Sequence, residues 1–122
     1  MPKAMVIDDS RAVRMILSRI LRGVGYDVSE AANGKDALAK LAAGESVSLV
    51  LVDWNMPELN GLEFVRCLRA DPSAASIKIM MVTTETEIDR MVTALEAGAN
   101  EYVMKPFTAE VISDKLKLLG AL

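Results

Sequence analysis

The chain has 122 residues, which suits one domain, and 52% of them are hydrophobic, so a folded core is expected rather than disorder. The net charge of −3 gives no basic footprint for nucleic acid, and no apolar run is long enough to span a membrane. The absence of histidine excludes Ser-His and Cys-His nucleophile pairs, and a single cysteine excludes an internal disulfide. We therefore expect a soluble cytoplasmic protein.

Short apolar runs alternate with amphipathic segments five times along the chain. Apolar runs at 4–7, 49–52, 77–82 and 102–104 predict strands, and the alternating segment 26–31 predicts a more exposed one. Helices are predicted between them, ending near Gly23, Gly44, Asp71 and Gly98, and a fifth helix follows the last strand. Such alternation implies a parallel sheet with right-handed crossovers and helices on both faces.

Local signals indicate where the helices begin and which residues form their apolar stripes. Ser10 suits the N-cap of the first helix. The apolar stripe of that helix consists of Val13, Ile16, Leu17, Ile20 and Leu21. Asn33-Gly34 indicates a turn before the second helix. The stripe of the fourth helix consists of Ile88, Met91, Val92 and Leu95.

The preferred architecture is an α/β, doubly wound, five-stranded parallel sheet of the flavodoxin-like kind, with strand order 2-1-3-4-5. This order places the carboxyl ends of strands one and three side by side at the switch point, where such folds bind ligands. A six-stranded dinucleotide fold is disfavoured by the length and by the lack of a G-x-G-x-x-G motif after strand one. We expect one domain over 1–122.

Three carboxylates are predicted to meet at that edge. The apolar run 49–52 stops at Asp53, and the first strand stops at Asp8-Asp9. Close carboxylates repel one another, so a proton or a cation must neutralise them. Without histidine or a cysteine cluster, a hard divalent cation with oxygen ligands is favoured, and magnesium is the first choice. Taken alone, Asp8-Asp9 could equally serve a helix N-terminus.

A hydroxyl and an ammonium end two further strands at the same edge. Thr83 follows strand four and Lys105 follows strand five. Each has an ordinary explanation, as a helix cap and as an exposed lysine. Together with the three carboxylates they form the equipment for phosphoryl transfer to a carboxylate, in which catalysis consists of positioning and charge neutralisation.

These residues resemble the receiver domain of two-component response regulators. Asp8-Asp9, Asp53, Thr83 and Lys105-Pro106 match its signature, and the resemblance covers the whole chain. The stretches 53–57, 97–99 and 102–109 are especially similar to chemotaxis members. The resemblance implies a phosphoacceptor signalling protein without an output domain, rather than an enzyme. Its small reactions would be self-phosphorylation from small donors and self-dephosphorylation.

The resemblance also implies a role for each site residue. Asp53 would accept the phosphoryl group from a sensor histidine kinase. Mg²⁺, for which Mn²⁺ can substitute, would be bound by Asp9, Asp53 and the Asn55 carbonyl, with Asp8 assisting. Thr83 and Lys105 would hold the phosphoryl oxygens, and Tyr102 would turn inward behind Thr83. Asn55 and Glu85 would tune dephosphorylation.

The expected output is protein contact by a monomer, through the face of helix four, strand five and helix five. The residues expected on this output surface are Glu87, Arg90, Tyr102, Lys105 and Phe107. The expected partners are a chemotaxis-type kinase and a downstream protein such as the flagellar motor switch, with no nucleic acid or membrane. Close chemotaxis relatives carry lysines early in helix four, whereas 86–89 here is acidic and apolar, a departure that concerns the motor partner.

Other functions remain open on the residues alone. A phosphorelay shuttle would use the same chemistry. An aspartyl-nucleophile phosphatase would need an acid two residues after Asp53, where this chain has Asn55. A flavin carrier would meet repulsion between its phosphate and Asp8-Asp9. A non-phosphorylated scaffold would usually lack one of the five key positions, and none is missing.

Overall fold

The computed structural model describes residues 2–84 and 88–122. Within them, five parallel strands form one sheet in the order β2-β1-β3-β4-β5. The strands are β1 (Lys3–Ile7), β2 (Asp27–Ala31), β3 (Leu49–Val52), β4 (Lys78–Thr83) and β5 (Glu101–Met104). The helices are α1 (Arg11–Gly23), α2 (Gly34–Ala42), α3 (Gly61–Arg69), α4 (Ile88–Ala97) and α5 (Ala109–Leu118), with a 3-10 turn at Pro72–Ala74. The predicted fold class and strand order are confirmed.

The central strand β3 is buried on both faces, which explains its unbroken apolar run. Val50 and Val52 join one core, and Leu49 and Leu51 join the other. The first core includes residues of α2, α3 and α4, namely Ala37, Phe64, Val65 and Ala94. The second includes residues of α1 and α5, namely Leu17, Leu21, Ile112 and Leu116. The two layers of helices therefore fix β3, and the residue that follows it, in the middle of the molecule.

Side-chain caps define the starts of the helices. The Ser10 hydroxyl accepts from the backbone N–H of Val13, as predicted, so α1 begins directly after the β1 loop. The prediction that Asn33-Gly34 forms a turn was wrong. Asn33 is the N-cap of α2, because its side-chain oxygen accepts from the N–H of Asp36 at 2.8 Å and Gly34 is already helical. An Asn that satisfies a helix N-terminus has the same sequence signature as one in a turn.

Two predicted apolar stripes are confirmed only in part, because Leu17 and Leu21 of α1 are buried but other members of the stripes are exposed. Ile16 is exposed on α1, where Leu17, Ser18 and Leu21 are the buried positions. Ile88 on α4 is 74% exposed, and Val92 and Leu95 are exposed with it. The small Ala94 is the fully buried residue of α4, and Met91 packs partly buried against the same core. None of the described helices is long and apolar enough to cross a membrane.

The loop between β3 and α3 is closed by a backbone contact at Gly61. Its N–H donates to the carbonyl oxygen of Trp54 at 2.9 Å. A Cβ atom at position 61 would lie 2.2 Å from the carbonyl oxygen of Asp53 and 2.8 Å from the Cα atom of Trp54. Only glycine leaves room for this approach, so Gly61 helps to set where the chain turns after β3.

Candidate functional site at the carboxyl edge of the sheet

Three acidic residues converge at the carboxyl ends of β1 and β3. Asp8, Asp9 and Asp53 each offer a carboxylate oxygen, and these oxygens lie within 4.8 Å of one another. The convergence follows from the register, because Ile7 of β1 lies beside Val52 of β3 and each is the last residue of its strand. The structure confirms the prediction that these three carboxylates lie close together at this edge.

Lys105 connects two of these carboxylates. Its ammonium donates to Asp8 Oδ2 at 2.9 Å and to Asp53 Oδ2 at 3.3 Å. The lysine reaches the site because β5 ends at Met104, and the backbone N–H of Lys105 donates to the carbonyl oxygen of Thr83 at 2.8 Å. The peptide bond between Lys105 and Pro106, which the sequence leaves open, is cis. The ammonium is thus held beside Asp53 by the strand that precedes it.

Asp8 is fixed by contacts on several sides. Its backbone N–H donates to the carbonyl oxygen of Ala31, and its Oδ1 accepts from the N–H of Ser10 at 2.8 Å. Its own carbonyl oxygen accepts from Arg14 Nη1 at 2.6 Å. Asp8 is therefore a rigid, buried acid, whereas its neighbour Asp9 is exposed to solvent.

The charges of the site shift one another. Burial raises the pKa of Asp8, and the negative charge of Asp53 adds to this, against the hydrogen bonds from Ser10 and Lys105. Burial alone would lower the pKa of Lys105, but the Asp8 and Asp53 carboxylates outweigh it, so the net direction is upward. Lys105 therefore carries its charge at neutral pH and compensates part of the acidic cluster.

The donor set suits a small divalent cation. Three carboxylates within reach of one another, one of them exposed, provide the hard oxygen ligands that Mg²⁺ prefers. Asn55 lies beside them, since its backbone N–H donates to Asp53 Oδ1 at 3.3 Å and its side-chain amide to Thr84 Oγ1 at 3.3 Å. The carboxylate oxygens suit the binding of magnesium. The Lys105 ammonium suits the binding of an anion beside Asp53.

The other predicted residues fall into three groups. Thr83 is fully buried at the end of β4. Tyr102 is only 5% exposed and its ring joins the core, and its predicted role as a switch and partner-contact residue stays a prediction. Arg90 is exposed and lies 5.3 Å from the centroid of the Trp54 ring, and Phe107 is half-buried. Glu85 and Glu87 lie outside the described residues.

Two contributions to the site are absent from the sequence prediction. Arg14 reaches the Asp8 carbonyl from the second turn of α1, and Gly61 closes the loop that begins at Asp53. The spacing of Arg14, six residues after Asp8, resembles that of any solvent-exposed arginine on an amphipathic helix. A glycine at the start of a predicted helix likewise carries no signal of what it approaches.

Known proteins resemble both the sequence and this arrangement. The model of the response regulator receiver domain matches residues 4–117. The chain belongs to this family. Chemotaxis protein CheY1 of Helicobacter pylori (strain J99 / ATCC 700824) is 44% identical to this receiver over 118 residues, covering 96% of the chain and 95% of that protein. A Campylobacter jejuni CheY homolog is 44% identical over 116 residues, covering 94% and 89%.

Solved structures give the same result for the fold. Vibrio cholerae chemotaxis protein CheY4 superposes with a TM-score of 0.89 at 35% identity, covering 97% of this receiver and 98% of that chain. A putative response regulator from Chloroflexus aurantiacus gives a TM-score of 0.91 at 29% identity and covers both chains completely. The receiver is thus a CheY-like signalling protein of two-component systems.

The raised pKa of Asp8 makes a prediction for the metal-free receiver. We expect Asp8→Asn to raise the free energy of unfolding at neutral pH by about 1 kcal/mol, because it removes a buried charge beside Asp53. Since the folded-state pKa is raised, the ionised acid costs stability only above the usual carboxyl pKa. The gain should therefore vanish in acid, grow as pH rises from the usual carboxyl pKa to the raised folded pKa, and stay constant above it.

Urea denaturation with a chelator, compared at acid and neutral pH, measures this gain. Asp27→Asn, at an exposed aspartate of β2, is the matched control and should shift the midpoint little at either pH. An Asp8→Asn variant that is less stable than the wild type at neutral pH would contradict the idea that repulsion among Asp8, Asp9 and Asp53 destabilises the metal-free fold.

Proposed function

We propose that this receiver accepts a phosphoryl group on Asp53 from the phosphohistidine of a sensor kinase, with Mg²⁺, and passes the signal on by protein contact. The observation that supports the proposal best is the pairing at Asp53. Its carboxylate is buried to 6% exposure, belongs to the acidic cluster and lies 3.3 Å from the Lys105 ammonium. A carboxylate beside both a cation site and a fixed ammonium is equipped to attack an anionic phosphoryl group.

The proposed transfer forms one bond to phosphorus and breaks one. An Asp53 carboxylate oxygen forms the new bond to phosphorus, and the phosphorus–nitrogen bond of the donor imidazole breaks, with its electron pair leaving on nitrogen. The Lys105 ammonium and the Thr83 hydroxyl hold oxygens of the transferred group. Bound Mg²⁺ supplies further neutralisation of those oxygens, and Asp8, Asp9, Asp53 and the Asn55 carbonyl are the proposed ligands. These 122 residues contain no histidine, so none of them can carry the donor phosphohistidine.

Labelling by a small phosphodonor tests this proposal. Acetyl phosphate with Mg²⁺ or Mn²⁺ should add one phosphoryl group per chain in intact-protein mass spectrometry, and excess chelator should prevent it. Asp9→Ala removes the exposed carboxylate of the cluster and should lower the labelling rate by about tenfold or more at limiting Mg²⁺. Metal-independent labelling, or none at all under any condition, would refute the proposal.

The proposed output is a change in the face formed by α4, β5 and α5. Thr83 and Tyr102 are the proposed moving residues, since Thr83 ends β4 and the two strands are neighbours in the sheet. Arg90, Lys105 and Phe107 remain the proposed contact residues among those described. We propose the single domain 1–122 as a cytoplasmic monomer whose partners are a chemotaxis-type kinase and a target such as the flagellar motor switch, because the relatives at 44% identity are named chemotaxis proteins.

Amide chemical shifts test the output without an identified partner. Phosphodonor with Mg²⁺ should shift the amides of Arg90, Met104 and Phe107 in the wild type. Thr83→Ala should leave the shifts at Asn55 while reducing those three by about half or more, because the hydroxyl that would report the phosphoryl group is gone.

Thr93→Ala is the matched control, because Thr93 is a half-buried threonine on α4 whose hydroxyl donates to the carbonyl oxygen of Asp89. It should reproduce the wild-type pattern. Shifts that concentrate on α1, or that persist unchanged on α4 and β5 in Thr83→Ala, would rule out this route of signalling.

A further inference from the structure

Arg14 forms the one side-chain contact to the backbone of the acidic pair within the described part of the chain. It lies on α1 with its side chain 15% exposed. Its Nη1 donates to the carbonyl oxygen of Asp8 at 2.6 Å, and its Nε donates to Glu30 Oε1 at 3.3 Å. A mostly buried guanidinium with two fixed acceptors is a rigid group, unlike the exposed Arg11, Arg19 and Arg22 of the same helix.

The second acceptor is itself anchored. Glu30 belongs to β2, where it lies beside Val6 of β1, and its carbonyl oxygen accepts from the ammonium of Lys40. Arg14 therefore spans from a strand of the sheet to the loop that follows β1. Its position does not depend on the loop that it contacts.

The Asp8 carbonyl belongs to the peptide unit that joins Asp8 to Asp9. A hydrogen bond to that oxygen fixes the plane of the peptide, and with it the positions of the N and Cα atoms of Asp9 from which the side chain extends. Asp9 needs such help, because it is exposed and the described residues provide its carboxylate with no hydrogen bond or ion pair. The other two acids are oriented through their own side chains, by Ser10 and Lys105 for Asp8 and by Lys105 for Asp53.

We propose that Arg14 is a positioning residue of the metal site: it holds the Asp8–Asp9 peptide so that the Asp9 carboxylate faces the cation. The inference rests on the proposed function only in taking the acidic cluster as the Mg²⁺ site. It adds that the Arg14 guanidinium on α1 strengthens the binding of Mg²⁺ by orienting a metal ligand.

Simple electrostatics predicts the opposite sign. A guanidinium near the cluster repels Mg²⁺, so a residue acting only as a charge would weaken binding, and its removal would tighten binding. A residue that orients a ligand acts the other way, because substitutions behind metal ligands typically lower affinity. The direction of the change in Kd therefore separates the two roles. A loss of folding stability alone would not produce this difference in direction.

Two variants and one control carry the experiment. Arg14→Met removes the charge and both donors while keeping the length of the stem, and Arg14→Lys keeps the charge but cannot contact Asp8 and Glu30 together. Arg19→Met removes an exposed charge from the same helix. Mn²⁺ binding is followed by electron paramagnetic resonance of the free ion, and Mg²⁺ by competition, with circular dichroism to establish that each variant is folded.

The expected Kd for Mn²⁺ rises about tenfold in Arg14→Met, and less, about threefold, in Arg14→Lys. Arg19→Met should bind as the wild type or slightly more tightly. An Arg14→Met protein that binds Mn²⁺ as tightly as the wild type, or more tightly, overturns the positioning role. A wild-type protein that binds neither ion overturns the proposed metal site as well, so the two failures are distinct.

Discussion

Replacing Asp53 with asparagine is expected to abolish phosphoryl acceptance. The amide oxygen is neutral and a poor nucleophile, and it cannot form an acyl phosphate. It also removes one of the three charges of the acidic cluster. We expect the rate of labelling by acetyl phosphate with Mg²⁺ to fall by about a thousandfold or more, as when a nucleophile is removed from an active site. Intact-protein mass spectrometry measures it directly.

The fold should survive this substitution, because asparagine has nearly the same shape and relieves repulsion with the buried Asp8. Asp27→Asn, at an exposed position on β2, is the matched control and should label as the wild type. Full labelling of Asp53→Asn at another residue would show that the acceptor lies elsewhere in the chain.

Gly61→Ala is expected to cause the largest loss of stability. The new Cβ atom would lie 2.2 Å from the Asp53 carbonyl oxygen and 2.8 Å from the Trp54 Cα atom, and both neighbours are backbone, which cannot rotate away. Overpacking of this kind costs about 3 kcal/mol or more when the main chain must shift. Chemical denaturation measures the loss, and the folded fraction should also label slowly, because the displaced backbone is that of Asp53.

Gly23→Ala is the matched control, since a Cβ atom at that position would meet nothing within 4 Å. Its effect should be small and stabilising, about 0.5 kcal/mol, because alanine reduces the freedom of the unfolded chain. A Gly61→Ala protein that is as stable as Gly23→Ala and is labelled normally would contradict this prediction. It would show that the close approach of Gly61 to Asp53 and Trp54 has no effect on the site.

The layers and the sheet order could be predicted because they depend on repeating patterns. Four apolar runs, each ended by a polar residue, and one alternating segment at 26–31 specify the alternation, and the runs at 49–52 and 4–7 carry no polar residue at all. The site followed from topology, since residues that end parallel strands share one edge. The convergence of Asp8, Asp9, Asp53 and Lys105 needed no side-chain geometry to be foreseen.

The failures concern which side of an element a residue occupies. Ile88 and Val92 have helical spacing, yet the small Ala94 is the buried residue of α4, because close packing on the sheet favours a small side chain there. Hydropathy alone does not separate these cases, because it ignores the distance between a helix and its sheet.

The contact of Arg14 with Asp8 was also out of reach of the sequence. It joins a helix residue to a main-chain oxygen, and main-chain atoms carry no identity in a sequence pattern. Contacts of this kind, like the approach of Gly61 to the Asp53 carbonyl, depend on how a loop closes. They are therefore found only once the path of the backbone is known.

Chemical trapping of the phosphorylated residue is the most direct measurement of whether Asp53 is the phosphoacceptor. Borohydride reduces an acyl phosphate to an alcohol, so an aspartyl phosphate becomes homoserine, whereas free carboxylates and phosphorylated hydroxyls do not. After labelling with acetyl phosphate and Mg²⁺, peptide mapping should find homoserine at position 53 and unchanged aspartate at positions 8 and 9. Homoserine at either of those positions, or phosphate that survives reduction on a hydroxyl residue, would contradict the proposed chemistry.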